Sequence, residues 1–237
     1  IPEKKIRVLY NGINTLKEYD HSCHHKKNNL KFRIGFIGRL DSPKGVHVLI
    51  DAMHYLKNKN FELVIAGNGI LESLLRERAS ALNNVSFIGR VKNPYLFMSK
   101  IDLLVVPSIR EPLGNVCLEA GLCRVPVLAA NVDGLPEIIE NKISGELIDA
   151  TEEISINTVQ GAISLPEFVV NPVKGNLSAP KQINPSILAK RILKLSSQDD
   201  KLKYYSNELN KKVKNKFSID RYRRELHKMY REIDIKG

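Results

Sequence analysis

The sequence predicts an α/β fold: a doubly wound parallel sheet followed by C-terminal helices. Three observations predict it. Short runs rich in Val, Ile, Leu and Phe recur with too little polar alternation for a half-exposed sheet, as buried parallel strands do. Between them lie stretches whose apolar residues fall at helical spacing. The two alternate at about 20–25 residues per unit, the signature of repeated strand–helix units.

The elements follow in order. Arg7–Tyr10 is a short strand candidate, and Lys17–Asn29 is a polar loop. The strands of the sheet are expected at Phe32–Ile37, Glu62–Ala66, Val85–Ile88, Leu103–Val106 and Pro126–Ala129. Val46, Leu49, Ile50, Met53 and Leu56 make one helix face, and Leu71, Leu74, Leu75, Ala79 and Leu82 another. This divides the chain into an inter-domain segment with a polar loop at 1–30 and a sheet-forming core at 31–150. An insertion or long loop follows at 151–185, marked by Pro166, Pro172, Pro180 and Pro185. Helices are expected at 186–237, with faces at Ile187–Leu195, Ser206–Val213 and Ile219–Ile233.

Composition bounds the function. Lys and Arg number 37 against 26 Asp and Glu, a net charge of +11. That balance suggests an anionic partner: nucleic acid, a phospholipid surface or a phosphorylated substrate. Nucleic acid is the weakest of these, because aromatic-rich RNA-binding runs and zinc-finger spacing are missing. No apolar run reaches the ~20 residues that span a bilayer. The chain opens on Ile1 without Met or an apolar leader core, so a fragment of a longer or processed protein is expected. Its three cysteines, Cys23, Cys117 and Cys123, form no CxxC pair, which points to a reducing, cytoplasmic setting. His21, Cys23, His24 and His25 lack the spacing of a four-ligand zinc site, so no metal is expected.

Four strand-to-helix loops could carry chemistry. In Gly38-Arg39-Leu40-Asp41-Ser42-Pro43-Lys44-Gly45, Arg39 and Lys44 could reach a phosphate above a helix N-terminus, or form a plain turn with two solvated cations. Ala66-Gly67-Asn68-Gly69 suggests a dinucleotide motif, but Glu72 fills the third glycine position, so a tight turn is the better reading. No Walker sequence occurs. In the third loop Glu111-Pro112-Leu113-Gly114-Asn115 opens a helix whose free amides would seat a phosphate. Glu119 lies eight residues beyond Glu111, roughly 12 Å along a helix. A glycosidase carboxyl pair needs about 5–9.5 Å; a long ligand with hydroxyls at both ends and a diphosphate between fits better. In Asn131-Val132-Asp133-Gly134-Leu135-Pro136-Glu137, Gly134 could bring backbone close to a ligand, and Glu137 suits a helix start.

These segments, with Phe87-Ile88-Gly89-Arg90-Val91, share order and spacing with one family. The chain resembles the C-terminal, donor-binding half of retaining glycosyltransferases of the GT-B fold, family 4. Glu111 to Glu119 matches that family's Glu-x7-Glu motif. The resemblance covers 31–150 closely. It implies a Rossmann-like core and transfer of a sugar from a nucleotide-sugar, with UDP favoured, without a metal or other cofactor. It implies that Arg39 and Lys44 grip the diphosphate and that Glu111 orients the donor sugar, the three catalytic assignments. Leu113, Gly114 and Asn115 would hold the phosphates, Glu119 the ribose hydroxyls, and Gly89–Val91 would border the base, largely through backbone; Gly38 and Gly134 would also bind the substrate.

The acceptor, a glycan or a lipid-linked sugar in surface-polysaccharide or lipopolysaccharide assembly, would bind an N-terminal domain that this chain lacks. A peripheral place at an anionic membrane is compatible with the charge. Two positions depart from the family: Asp133 stands where a glycine is common, and Arg124 where a helix-ending glycine is usual. Rival readings are a sugar-nucleotide epimerase or glycogen-synthase-like enzyme of the same fold, a basic nucleic-acid module, and an inactive scaffold domain.

Overall fold

The architecture comes from a computed structural model, which describes residues 6–15, 31–57, 60–156 and 159–234. Six strands form one parallel sheet: β1 (Phe32–Ile37), β2 (Phe61–Ala66), β3 (Val85–Gly89), β4 (Leu103–Val106), β5 (Val127–Ala130) and β6 (Glu146–Ile148). Their spatial order is β3-β2-β1-β4-β5-β6. Every residue of β4 and β5 is buried, which explains their unbroken apolar sequences. The order reverses between β1 and β4. The ladder there holds two pairs, Ile34 with Leu103 and Gly35 with Leu104, against six between β1 and β2. Connections leave β1 and β4 in opposite directions, so a crevice opens at the carboxyl ends of these two strands.

Helices cover the sheet. They are α1 (Val46–His54), α2 (Glu72–Arg78), α3 (Pro94–Met98), α4 (Asn115–Leu122), α5 (Leu135–Ile138), α6 (Pro185–Ser196), α7 (Asp199–Lys216) and α8 (Ile219–Asp234). Asn93 and Asn184 cap α3 and α6 with side-chain oxygens, each followed by Pro at the first helical position. The α7 helix starts well before the apolar positions that announce it, because its first turn carries Asp199 and Asp200 at the positive helix end. It lies directly on α4. Gly121 leaves room for Val213 and Leu209, and Asn210 Nδ2 donates to the Gly121 carbonyl at 2.8 Å. Leu188, Ile192, Leu209, Val213 and Phe217 join the same apolar core as the strands.

The Arg7–Tyr10 strand does not form. Both edges of β1 are occupied, and Ile6 and Val8 stay exposed. The N-terminal segment is held instead by a parallel bridge of Ile13 with Ser218, by Arg221 donating to the Tyr10 carbonyl at 2.7 Å, and by the Tyr10 ring on Phe217. The 151–185 stretch carries a small hairpin, β7 (Val169–Asn171) with β8 (Asn176–Ser178). It is anchored at its base through Gln182, which pairs with Glu152 and accepts from the buried His47 Nε2 at 2.8 Å. The Lys17–Asn29 loop and the His21–His25 cluster lie outside the described residues.

Candidate functional site

The crevice is walled by the loops that follow β1 and β4. Gly45, at φ +65°, lets the first of them turn directly into α1; a Cβ there would stand 2.0 Å from the Pro107 carbonyl oxygen. The amides of Ile109 and Arg110 both donate to the Pro43 carbonyl, at 2.8 and 3.2 Å. Two loops that are far apart in sequence are thereby locked together. Across them Lys44 Nζ meets Glu111 Oε2 at 2.5 Å, and Ser108 Oγ lies 3.3 Å from the same oxygen. Glu111 is 8% exposed, so its carboxyl group sits in a poorly hydrated place and depends on those partners.

Beyond Glu111, Gly114 adopts φ +94° and begins α4 without any side-chain cap. The Cys117 amide donates to the Gly114 carbonyl at 2.8 Å, which leaves the amides of Asn115 and Val116 at the start of α4 without an intrahelical acceptor, and Asn115 is exposed. Gly134 packs against the same turn. Its φ is −86°, so the need for glycine is one of space: a Cβ would stand 2.1 Å from the Pro112 carbonyl oxygen. The close approach at Gly134 is to this chain's own backbone at Pro112 and Leu113.

The predicted residues fall into three groups. Lys44, Glu111, Leu113, Gly114 and Gly134 gather at the mouth of β4. Gly38, Arg39 and Val91 line a cavity of about 460 Å³ at the ends of β1, β2 and β3, with Gly67, Asn68 and Arg90. Arg39 is extended into solvent there, its Nε 3.7 Å from Asp41 Oδ2. Asn115 and Glu119 line a second cavity of about 330 Å³, whose other wall is Asn11, Gly12, Ile13, Ile219 and Tyr222. Burial raises the Glu119 carboxyl above its ordinary range. The Cys117 thiol, buried two residues earlier, is pushed far up by burial and then by the charge on Glu111, which disfavours its thiolate.

Gly67 and Gly69 have a packing role. A Cβ at either would strike the carbonyl oxygen of Gly38 or Leu40, so these glycines press β2's loop onto β1's loop. Arg124, at φ +50° just past α4, takes the left-handed position that a helix-ending glycine would fill. Several participants escaped sequence reasoning. The Lys44–Glu111 pairing was hidden because each residue was read within its own loop; the strand order that joins them was the available signal. Asn11, Gly12 and Tyr222 come from distant segments, and no local pattern marks them. Among the described residues no group of three or more His, Cys, Asp or Glu is placed to hold a metal ion.

The comparisons with known proteins agree with this geometry. HepE of Anabaena, in a structure with UDP-glucose, superimposes with a TM-score of 0.69 at 20% identity, covering 95% of this chain and 57% of that one. An uncharacterized glycosyltransferase of Methanocaldococcus jannaschii is 34% identical over 192 residues, 73% of this chain and 49% of the relative. The capsular polysaccharide biosynthesis glycosyltransferase CapM of Staphylococcus aureus is 28% identical over 243 residues, 96% of this chain and 56% of the relative. The chain thus spans about half the length of the curated relatives it matches. The six-stranded parallel sheet with flanking helices matches the Rossmann-like fold of GT-B glycosyltransferase structures, and the sequence model described as Glycosyl transferases group 1 matches residues 20–160: the chain belongs to the group 1 glycosyl transferase family.

Proposed function

We propose that this chain is the donor-binding half of a retaining, metal-independent sugar transferase that uses a nucleotide-sugar, with UDP as the nucleotide. The carrying observation is the Lys44–Glu111 pair at the strand-order reversal, beside the uncapped N-terminus of α4. A cation and unpaired amides at one helix end suit a diphosphate, and a carboxylate beside them suits sugar hydroxyls. HepE's UDP-glucose complex, on the same fold, supports the choice of donor.

In this reading Lys44 and Arg39 hold the diphosphate and offset the charge that develops as the sugar departs, helped by the amides from Leu113 to Asn115. Such preorganised electrostatics is the largest single term in many enzymes. Glu111 orients the sugar, Glu119 receives the ribose hydroxyls, and Gly38 and Val91 border the base. The acceptor is a glycan or lipid-linked sugar bound by the other half of the protein, in surface-polysaccharide assembly as CapM's name describes for that relative. The site faces the cytoplasm, with the basic surface resting against an anionic membrane. No helix among the described residues is long and apolar enough to cross one.

Calorimetric titration with UDP, GDP, ADP and their sugar conjugates, with and without Mg²⁺, tests this. Selective binding of UDP that is unchanged by Mg²⁺ is the expected result. Absence of binding to every diphosphate, in this chain and in the full-length protein, would overturn it.

A further inference from the structure

Asp133 stands at φ +47°, a conformation that costs an L-residue energy and that glycine adopts freely. Its carboxylate is fully engaged. Oδ2 accepts from the Glu111 amide at 3.0 Å, and Oδ1 accepts from the Val170 amide at 2.7 Å. The Asp133 amide in turn donates to the Val170 carbonyl at 3.1 Å, and the Gly134 amide donates to the Glu111 carbonyl at 3.2 Å. Both polar backbone groups of Val170 are therefore turned toward Asp133, away from β8, while its neighbours Val169 and Asn171 sit opposite Ser178 and Asn176 in the hairpin ladder. Val169 is 6% exposed and fixes the hairpin to the core.

From this geometry we propose that Asp133 is a positioning residue, which ties the β7–β8 hairpin to the backbone of Glu111 and so holds that carboxylate in place for the donor sugar. The hairpin is then a working part of the site, although it contributes no side chain to it. A charge-assisted hydrogen bond to an amide is stronger than a neutral one, and Asp133 makes two, on two separate elements. Those bonds offset its unfavourable backbone. A glycine at 133 would relieve the backbone and break both ties. The placement of Glu111 rests on the hydrogen bonds; the consequence for turnover rests on the donor-site reading above.

Three variants of the full-length protein test the tie: Asp133→Gly, Asp133→Asn and Val170→Pro, the last removing the amide that donates to Oδ1 while leaving Asp133 in place. Amide hydrogen exchange at Glu111 is read first. It should speed up about tenfold in Asp133→Gly, the size expected for one lost charge-assisted bond, and several-fold in Val170→Pro, with β4 and β5 amides unchanged. UDP affinity, measured by calorimetry, should stay within about twofold. The release of UDP from UDP-glucose, UDP-galactose and UDP-N-acetylglucosamine should lose about tenfold in kcat with little change in KM. Asp133→Asn, which keeps one acceptor oxygen, should restore part of that loss. Combining Asp133→Gly with Val170→Pro should be no worse than Asp133→Gly alone, because both cut one chain of bonds. Unchanged exchange at Glu111 in Asp133→Gly and Val170→Pro overturns the proposal, as does a matching fall in UDP affinity, which would mean general loosening. If exchange responds while the wild type binds no UDP, the tie stands and the donor reading falls.

Discussion

Replacing Lys44 with Met keeps the aliphatic stem and deletes the charge that faces Glu111. The carboxylate left behind is 11% exposed at its side chain, and its remaining neighbour is Ser108 Oγ at 3.3 Å. Stranding one member of a fully buried pair costs about 3–5 kcal/mol. Lys44 is itself 25% exposed, so water already screens part of the attraction, and about 2 kcal/mol is the better expectation. For a chain of this size that is a fall in Tm of about 4–8 °C. Adding Glu111→Gln to the Lys44→Met background removes the orphaned charge and should return at least half of the loss.

Ligand binding gives a second readout of the same variant. The donor must draw Lys44 away from Glu111, so its net gain from the ammonium is modest. UDP affinity should drop about tenfold in Lys44→Met, near the lower end for a charged hydrogen bond, while uridine affinity stays level. Thermal unfolding by circular dichroism and calorimetric titration cover both readouts. A Tm equal to wild type, or equal losses for UDP and uridine, would refute the reasoning.

Glu119→Gln should raise Tm at pH 7.5, because burial disfavours the charged carboxyl, and should narrow the preference for UDP over 2′-deoxy-UDP. Glu146 is 1% exposed, and although burial alone would raise its carboxyl, hydrogen bonds from Lys201, Arg191 and Tyr205 outweigh that and hold it below 4.5. Its contribution is therefore present above pH 4.5 and is lost as pH falls through the lower folded value; Glu146→Ala should cost about 3 kcal/mol in urea unfolding at pH 7. Burial holds His47 below 6.5, so its contribution is complete above pH 6.5 and falls away as acid forces protonation. His47→Leu should flatten urea-unfolding midpoints between pH 6.5 and 5. Gly134→Ala should cost about 2–4 kcal/mol by the same measurement, because its Cβ would collide with rigid backbone at Pro112.

The sheet was legible because its strands are buried on both faces. Phe32–Ile37 and Leu103–Val106 match the observed limits, and the remaining predicted strands fall within a residue of theirs. β6 was not legible, since it is three residues long and carries Glu146, whose burial depends on Arg191 and Lys201 from helices far along the chain. The hairpin was hidden for a related reason: Phe168, Val170, Val173 and Leu177 are exposed, so no alternation marks it. Arg7–Tyr10 has strand-like residues but pairs with no strand, and both sides of β1 are taken by β2 and β4, a fact that only the strand order contains. Within the site, the loops could be read and their joins could not. In the sequence Asp133 is only a departure from a common glycine, whereas in the structure its oxygens bond to backbone at Glu111 and Val170, 22 and 37 residues away.

The cavity beside Glu119 also has a history within each molecule. The wall that faces Asn115 and Glu119 is made of two segments, Asn11–Ile13 and the start of α8 with Ile219 and Tyr222. The segments are stitched by the Ile13 amide on the Phe217 carbonyl, the Ile219 amide on the Ile13 carbonyl, and Arg221 on the Tyr10 carbonyl across 211 residues. On a ribosome, the β1 and β4 loops can fold and meet long before α8 emerges. The compartment around Glu119 closes only once residues 217–222 have been made. Closing so long a loop is slow relative to local contacts. Synthesis therefore yields the parts in a fixed order, first the crevice at β1 and β4 and then the pocket at Glu119, and a chain released before residue 222 would keep the first without the second.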